Sequence, residues 1–281
     1  MLSYRHAFHA GNHADVLKHL VLVQLTRYLG QKDKPFSYLD THAGAGIYTL
    51  NSGYAAKLAE YKNGMGRLWD RNDLPASLAE YMTIVRQLNP DRKLRAYPGS
   101  PYFALKTMRE QDRLNLFELH SKDARLLQEN FQEAGKRVVV EASDGFGGLK
   151  ALLPPPSRRA LVLIDPSYEE KQDYERVFHA LKESLTRFPG GTYALWYPQI
   201  TRIDAHDLPQ RLKKLPAKSW LHVALRVCTP SKDGFGMHGS GMFVLNPPWT
   251  LHDTLQETMP YLTAALGLDS GAGFTLEQQA A

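Results

Sequence analysis

Residues 161–169 read Leu161-Val162-Leu163-Ile164-Asp165-Pro166-Ser167-Tyr168-Glu169, four apolar residues that end in a carboxylate. An unbroken apolar run of this kind predicts a strand buried on both faces. Ligands of open α/β sheets bind beyond the carboxyl ends of strands, so Asp165 falls where chemistry is expected. Pro166 fixes the turn and has no N–H to satisfy, and Tyr168 offers a flat ring. An ordinary strand-to-turn junction would read the same way, because Asp-Pro-Ser is common turn chemistry. Three other strand ends sharpen the choice. Asp40-Thr41-His42-Ala43-Gly44-Ala45-Gly46 follows an apolar strand, and Gly44 and Gly46 let the backbone approach a ligand with no Cβ in the way. This loop lacks the Gly-Lys-Ser/Thr ending of a phosphate cradle and the spacing of a dinucleotide fingerprint. Glu118 ends Leu114-Asn115-Leu116-Phe117, where a carboxylate can accept hydrogen bonds from both hydroxyls of a ribose. Asp144-Gly145 follows Val138-Val139-Val140 and can receive an adenine amino group. Each carboxylate alone reads equally well as a helix N-cap or a solvated strand end. Three of them at successive strand ends, after a Gly-rich first loop, are hard to attribute to chance.

The elements that must hold these residues alternate between helix and strand. Helical stretches are predicted at 14–29, 102–109, 123–134, 146–153, 174–188 and 207–215. Strands are predicted at 36–40, 114–119, 137–141, 161–164, 193–197, 221–227 and 242–245. Strands separated by helices argue for βαβ units and a parallel sheet. The last two strands leave no room for a helix between them, so an antiparallel hairpin is expected at the sheet edge. Residues 48–97 break the alternation, with helical stretches and no clear strand, and a plain loop of that length would be improbable. They read as a small helical insertion, and Arg86, Arg92, Lys93 and Arg95 make it a candidate nucleic-acid contact or a simple cap on the sheet. The expected organisation is a discontinuous domain, 1–47 and 98–267, with the 48–97 insertion and a poorly ordered Gly/Ala-rich tail at 268–281.

The chain of 281 residues is 43% hydrophobic and 22% charged, the composition of a globular protein with a substantial core. No apolar run approaches the roughly 20 residues needed to cross a bilayer. The single cysteine, Cys228, excludes an internal disulfide framework. With no apolar signal core behind the first residues, it predicts a cytoplasmic protein. The net charge of +5 is uneven: residues 250–281 hold four acids and no Lys or Arg, leaving a balance of +9 on the first 249 residues. A basic body suits a polyanionic partner held in a salt-dependent way.

Residues 4–19 hold four of the eleven histidines in Tyr4-Arg5-His6-Ala7-Phe8-His9-Ala10-Gly11-Asn12-His13-Ala14-Asp15-Val16-Leu17-Lys18-His19. A zinc site would need a Cys partner or paired ligand spacing, and neither is present; no metal is expected. A polar surface arm is the plainer alternative. The Asp165 run resembles the Asp-Pro-Pro-Tyr motif of adenosylmethionine-dependent methyltransferases acting on exocyclic amino groups, with Ser167 in place of the second proline. Together with the N-terminal segment and the Asp40–Gly46 loop, it resembles the bacterial 23S ribosomal RNA adenine-N6 methyltransferase family of the RlmJ type over nearly the whole chain.

The resemblance implies a Rossmann-like class I methyltransferase, a seven-strand mixed sheet with an antiparallel edge hairpin and a small helical insertion. It implies S-adenosylmethionine as cofactor, S-adenosylhomocysteine as product, and one adenine of 23S rRNA as target, free or in an early large-subunit precursor. No membrane and no obligate protein partner are expected. Cofactor contacts implied by matching motifs are His19, His42, Ser100, Glu118, Asp144 with Gly145, and Asp165; Gly44 joins them from the first loop. Tyr4, His6 and Lys18 are implied on the substrate side. Asp165 and the Pro166 carbonyl would accept hydrogen bonds from the target amino group, and Tyr168 would stack on the base, worth about 1–3 kcal/mol. Two readings compete: an adenine-N6 methyltransferase acting on DNA or another RNA, and an rRNA-binding assembly factor that holds adenosylmethionine without turnover.

Overall fold

The computed structural model describes residues 5–50 and 53–280. Asn12 opens α1 (His13–Gly30), its side chain accepting from the backbone N–H groups of Ala14 and Asp15 at 3.0 Å each. Such a cap satisfies two donors that the helix itself leaves unpaired. Twelve of the eighteen residues of α1 are buried, polar Asp15, Lys18 and His19 among them, so this is a core helix and not a surface arm. β1 (Ser37–Asp40) follows, then β2 (Ile47–Thr49), α2 (Gly53–Leu58), α3 (Met65–Leu68), α4 (Ala76–Gln87) and β3 (Ala96–Pro98). The interval expected to lack strands is thus closed at its base by a short antiparallel pair, Ile47↔Pro98 to Thr49↔Ala96. Three-residue strands carry too little pattern to be read from sequence.

The chain continues through α5 (Ser100–Thr107), β4 (Arg113–Phe117), α6 (Ser121–Phe131), β5 (Val138–Glu141), α7 (Gly145–Leu152), β6 (Ala160–Ile164) and α8 (Gln172–Arg187). β7 (Thr192–Gln199), α9 (Ile203–Leu212), β8 (Trp220–Arg226), β9 (Gly239–Leu245), α10 (Leu251–Leu266) and β10 (Gly273–Gln279) complete it. The large sheet runs β10-β8-β9-β7-β6-β1-β4-β5. β1, β4, β5, β6 and β7 are parallel, whereas β9 runs antiparallel to both β7 and β8. β6 is buried at all five positions, as its sequence predicts. Leu161 and Leu163 enter one core and Ala160, Val162 and Ile164 the other, the period of two expected of a strand covered on both faces. Each fully buried Leu or Ile there stabilises the sheet by about 1.5–3 kcal/mol.

The sheet has eight strands, not seven, and the expected disordered tail supplies the extra one. β10 pairs with β8 from Gly273↔Arg226 to Gln279↔Trp220, so the β8–β9 hairpin lies one strand inside the edge. An uncovered β8 would present a row of unpaired backbone groups, and β10 satisfies them. Side chains pin the strand down: Arg226 Nε donates to the Gly271 carbonyl at 2.6 Å, and Lys213 meets Glu277 at 2.7 Å. Before it, α10 packs Leu255, Met259, Leu262 and Leu266 into the core. Among the described residues, no helix is long and apolar enough to cross a membrane.

Candidate active site

The strand order reverses at β1, which lies between β4 and β6. Loops leaving β1 and its neighbours diverge there and open a crevice, the usual ligand position in a doubly wound sheet. Gly44 and Gly46 adopt φ of +60° and +75°, and a Cβ on Gly44 would lie 2.1 Å from the Tyr48 hydroxyl oxygen. At the start of α7, a Cβ on Gly145 would meet the Thr41 carbonyl oxygen at 2.2 Å. Only glycine lets that helix seat against the first loop. Asp144 caps it, accepting from the Phe146 N–H at 3.2 Å.

One cavity lies in this crevice and gathers most of the predicted residues. His6, Lys18 and His19 border it from the N-terminal segment and α1, and His42, Gly44 and Ser100 from the first loop and the start of α5. Glu118, Asp144, Gly145 and Asp165 reach it from the ends of the parallel strands. Glu118 is anchored by two backbone donors, Gly44 at 2.8 Å and His120 at 2.7 Å, while burial raises its carboxyl above the ordinary value. Leu119 also borders the cavity and is 56% exposed, a large apolar face available to a flat ring.

Lys18 is 3% exposed and reaches two carboxylates, Asp165 Oδ2 at 2.6 Å and Asp15 Oδ1 at 2.8 Å. Burial works to lower its ammonium, but the two anions outweigh burial and hold it above its ordinary value. Burial raises the Asp165 carboxyl, against Lys18 and His6, which pull it down. The Lys18 charge is therefore paired inside the protein with Asp15 and Asp165, and Lys18 borders the cavity beside Asp165. Burial pushes His42 down to about 3, with Arg176 adding to the effect, so its imidazole is neutral. Burial likewise keeps His19 well below its usual value; its Nδ1 lies 2.8 Å from the Tyr97 hydroxyl, which lies 2.9 Å from that of Tyr81.

Two predicted residues do not border the cavity. Pro166 is buried beside it, and Tyr168 is turned away. At φ of +54°, Tyr168 folds its ring back against Tyr174 at 4.6 Å and Trp196 at 6.1 Å, and its hydroxyl donates to the Trp196 carbonyl at 2.8 Å. The expected base-stacking platform is instead a core side chain, 4% exposed, and Ser167 borders the cavity. Tyr4 lies outside the described residues.

Two further buried carboxylates beside the cavity escaped the sequence reading. Asp40 ends β1 fully buried, accepting from Tyr38 at 2.7 Å and Ser100 at 2.6 Å, and burial lifts its carboxyl to about 6. It holds Ser100 at the cavity wall. Its place at the head of the Gly-rich loop was the available signal. Asp15 is the other, and nothing in its spacing distinguished it from helix-cap chemistry.

Strand order, the reversal at β1 and an antiparallel β9 beside β7 define a Rossmann-like class I methyltransferase fold. Residues 33–277 match the family described as ribosomal RNA large subunit methyltransferase D, RlmJ, and the chain belongs to that family. A curated relative from Haemophilus influenzae, named ribosomal RNA large subunit methyltransferase J, is 47% identical over 278 residues, 99% of this chain and 98% of its own. The Escherichia coli protein of the same name is 48% identical over 273 residues, 97% and 96% of the two chains. The crystal structure of LPL1258 from Legionella pneumophila superposes with a TM-score of 0.88 at 38% identity, covering 96% of this chain and 98% of that one.

Proposed function

We propose that the protein methylates the exocyclic N6 amino group of an adenine in 23S rRNA, with S-adenosylmethionine as donor. The observation that carries this reading is Asp165, held at the end of β6 by Lys18 in the same cavity as Glu118, Gly44 and the α7 N-terminus. The donor set fits the cofactor: carboxylates of Glu118 and Asp144 for ribose and adenine, Leu119 for the ring, and closely approaching backbone at Gly44 and Gly145. Bound there, the cofactor supplies an electrophilic methyl group.

Everything else falls to the chain. An aromatic amino nitrogen is a weak nucleophile because its lone pair is shared with the ring. Acceptors aimed at its two protons favour the pyramidal geometry that frees the lone pair. Asp165 offers one oxygen while Lys18 holds the other; the Pro166 carbonyl, which does not border the cavity, becomes the second acceptor only once the loop turns it toward the substrate. Tyr168 anchors this loop from below through its bond to Trp196. Ser167 leaves the Pro166 carbonyl in place without the stiffening a second proline would give. Holding nitrogen and methyl group about 3–3.5 Å apart supplies much of the acceleration.

Incubation of the protein with protein-free 23S rRNA and the cofactor, followed by mass-spectrometric mapping, tests the reading. N6-methyladenine at one site, absent with Asp165→Ala, is the expected outcome. Tight cofactor binding with no transfer to any RNA would favour the non-catalytic assembly factor.

A further inference from the structure

Asp15 is 2% exposed and its two oxygens serve different parts of the molecule. Oδ1 meets Lys18 Nζ at 2.8 Å. Oδ2 accepts from the Gly11 N–H at 2.9 Å and lies 3.0 Å from His6 Nε2. His6 belongs to a short 3-10 turn, His6–Phe8, whose ring lies edge-on to Tyr48 and borders the cavity. One carboxylate thus ties the N-terminal turn to Lys18, and Lys18 ties it to Asp165. A buried anion is tolerable only when paired, and Lys18 and His6 hold Asp15 well below the ordinary carboxylate range against burial. If His6 and Gly11 leave, Oδ2 loses its partners and the pairing of Oδ1 with Lys18 must readjust.

We propose that Asp15 is a positioning residue that couples docking of the N-terminal turn to the aim of Lys18 at Asp165. The proposal rests on the function given above for its kinetic consequence, while the coupling itself is a property of the folded chain. Docking of residues 5–12 over the cavity completes the active carboxylate, and a chain whose turn is displaced has a misdirected Asp165. Charged and titratable groups around Asp165 are Lys18 and Asp15 of α1, His6 of the turn, Asp40 and Tyr38 of β1, and Tyr168 of its own loop. Asp15 raises the Asp165 carboxyl and Lys18 lowers it, so removing either charge shifts Asp165 in opposite directions.

Two measurements on full-length Asp15→Asn, His6→Ala and Lys18→Met test this. Hydrogen exchange should quicken in Asp15→Asn at both residues 5–12 and residues 165–170. Quickening at only one of the two segments overturns the coupling, whatever the enzyme acts on. The single-turnover rate with 23S rRNA should fall on the order of 10- to 100-fold. Its acid limb should move to lower pH in Asp15→Asn and to higher pH in Lys18→Met; shifts in the same direction also overturn the proposal. His6→Ala leaves the Asp15–Lys18 pair intact, so it is the variant to use should Asp15→Asn not fold. It must quicken exchange at both segments and slow transfer, and a wild-type rate would refute the coupling. Wild-type protein that methylates no adenine defeats the functional reading instead, and the exchange result still decides the coupling.

Discussion

Gly145 and Gly147 lie two residues apart in α7 and should respond to the same substitution with opposite signs. A Cβ on Gly145 would fall 2.2 Å from the Thr41 carbonyl oxygen and 2.5 Å from its Cα, backbone atoms that cannot rotate away. A Cβ on Gly147 meets nothing within 4 Å. Neither glycine has a positive φ, so steric contact and helix propensity alone decide the outcome. Gly145→Ala overpacks the junction of the first loop with α7, at a cost of about 1–3 kcal/mol. Gly147→Ala should gain about 0.5–1 kcal/mol from propensity and a less free unfolded chain. Thermal unfolding converts these to a lower Tm for the first variant and a slightly higher one for the second, at roughly 2–4 °C per kcal/mol. Thr41 and Gly145 both border the cavity, so titration with S-adenosylhomocysteine should show about 5- to 30-fold weaker binding to Gly145→Ala if 1–2 kcal/mol of misfit is felt there. Equal stability and affinity in the two variants would refute the close approach of loop and helix on which the cavity depends.

Asp40 makes stability depend on pH. Its folded value of about 6 exceeds the usual 3.8, so its contribution is full below pH 4 and is lost as pH rises toward 6. The difference in unfolding free energy between wild type and Asp40→Asn should therefore move against wild type by roughly 2–3 kcal/mol across that window, and a flat difference would refute it. Tyr168→Phe should lose about 0.5–1.5 kcal/mol with the Trp196 hydrogen bond, measured by denaturant unfolding; no loss would mean the hydroxyl is not seated there. Deleting residues 272–281 should lower the Tm and raise light scattering by exposing the β8 edge, whereas a dispensable tail would leave both unchanged.

The site was legible in the sequence wherever a residue's place followed from strand periodicity. Leu161 to Ile164 carry the pattern of a strand covered on both faces, and that reading placed Asp165 at its end; the same logic placed Glu118 and Asp144. Properties set by backbone rotation or by distant partners were not legible. The left-handed φ that turns Tyr168 into the core leaves no trace in the motif. Burial of Lys18 between Asp15 and Asp165 joins residues 147 positions apart, and a lysine among histidines reads as a basic arm. β10 was missed because an edge strand has little to bury: Phe274, Glu277, Gln278 and Gln279 are exposed. The helix before it shows Leu251, Leu255, Met259, Leu262 and Leu266 at helical spacing, but Pro260 interrupts the pattern.

The most direct test of the central claim is the fate of one proton-bearing nitrogen. Transfer of an isotope-labelled methyl group from S-adenosylmethionine to 23S rRNA, followed by nucleoside mass spectrometry, should place the label on N6 of adenine. The label should vanish with Asp165→Asn while S-adenosylhomocysteine still binds. Label on a ring carbon, a ribose hydroxyl or no nucleoside at all, or undiminished transfer by Asp165→Asn, would contradict the account.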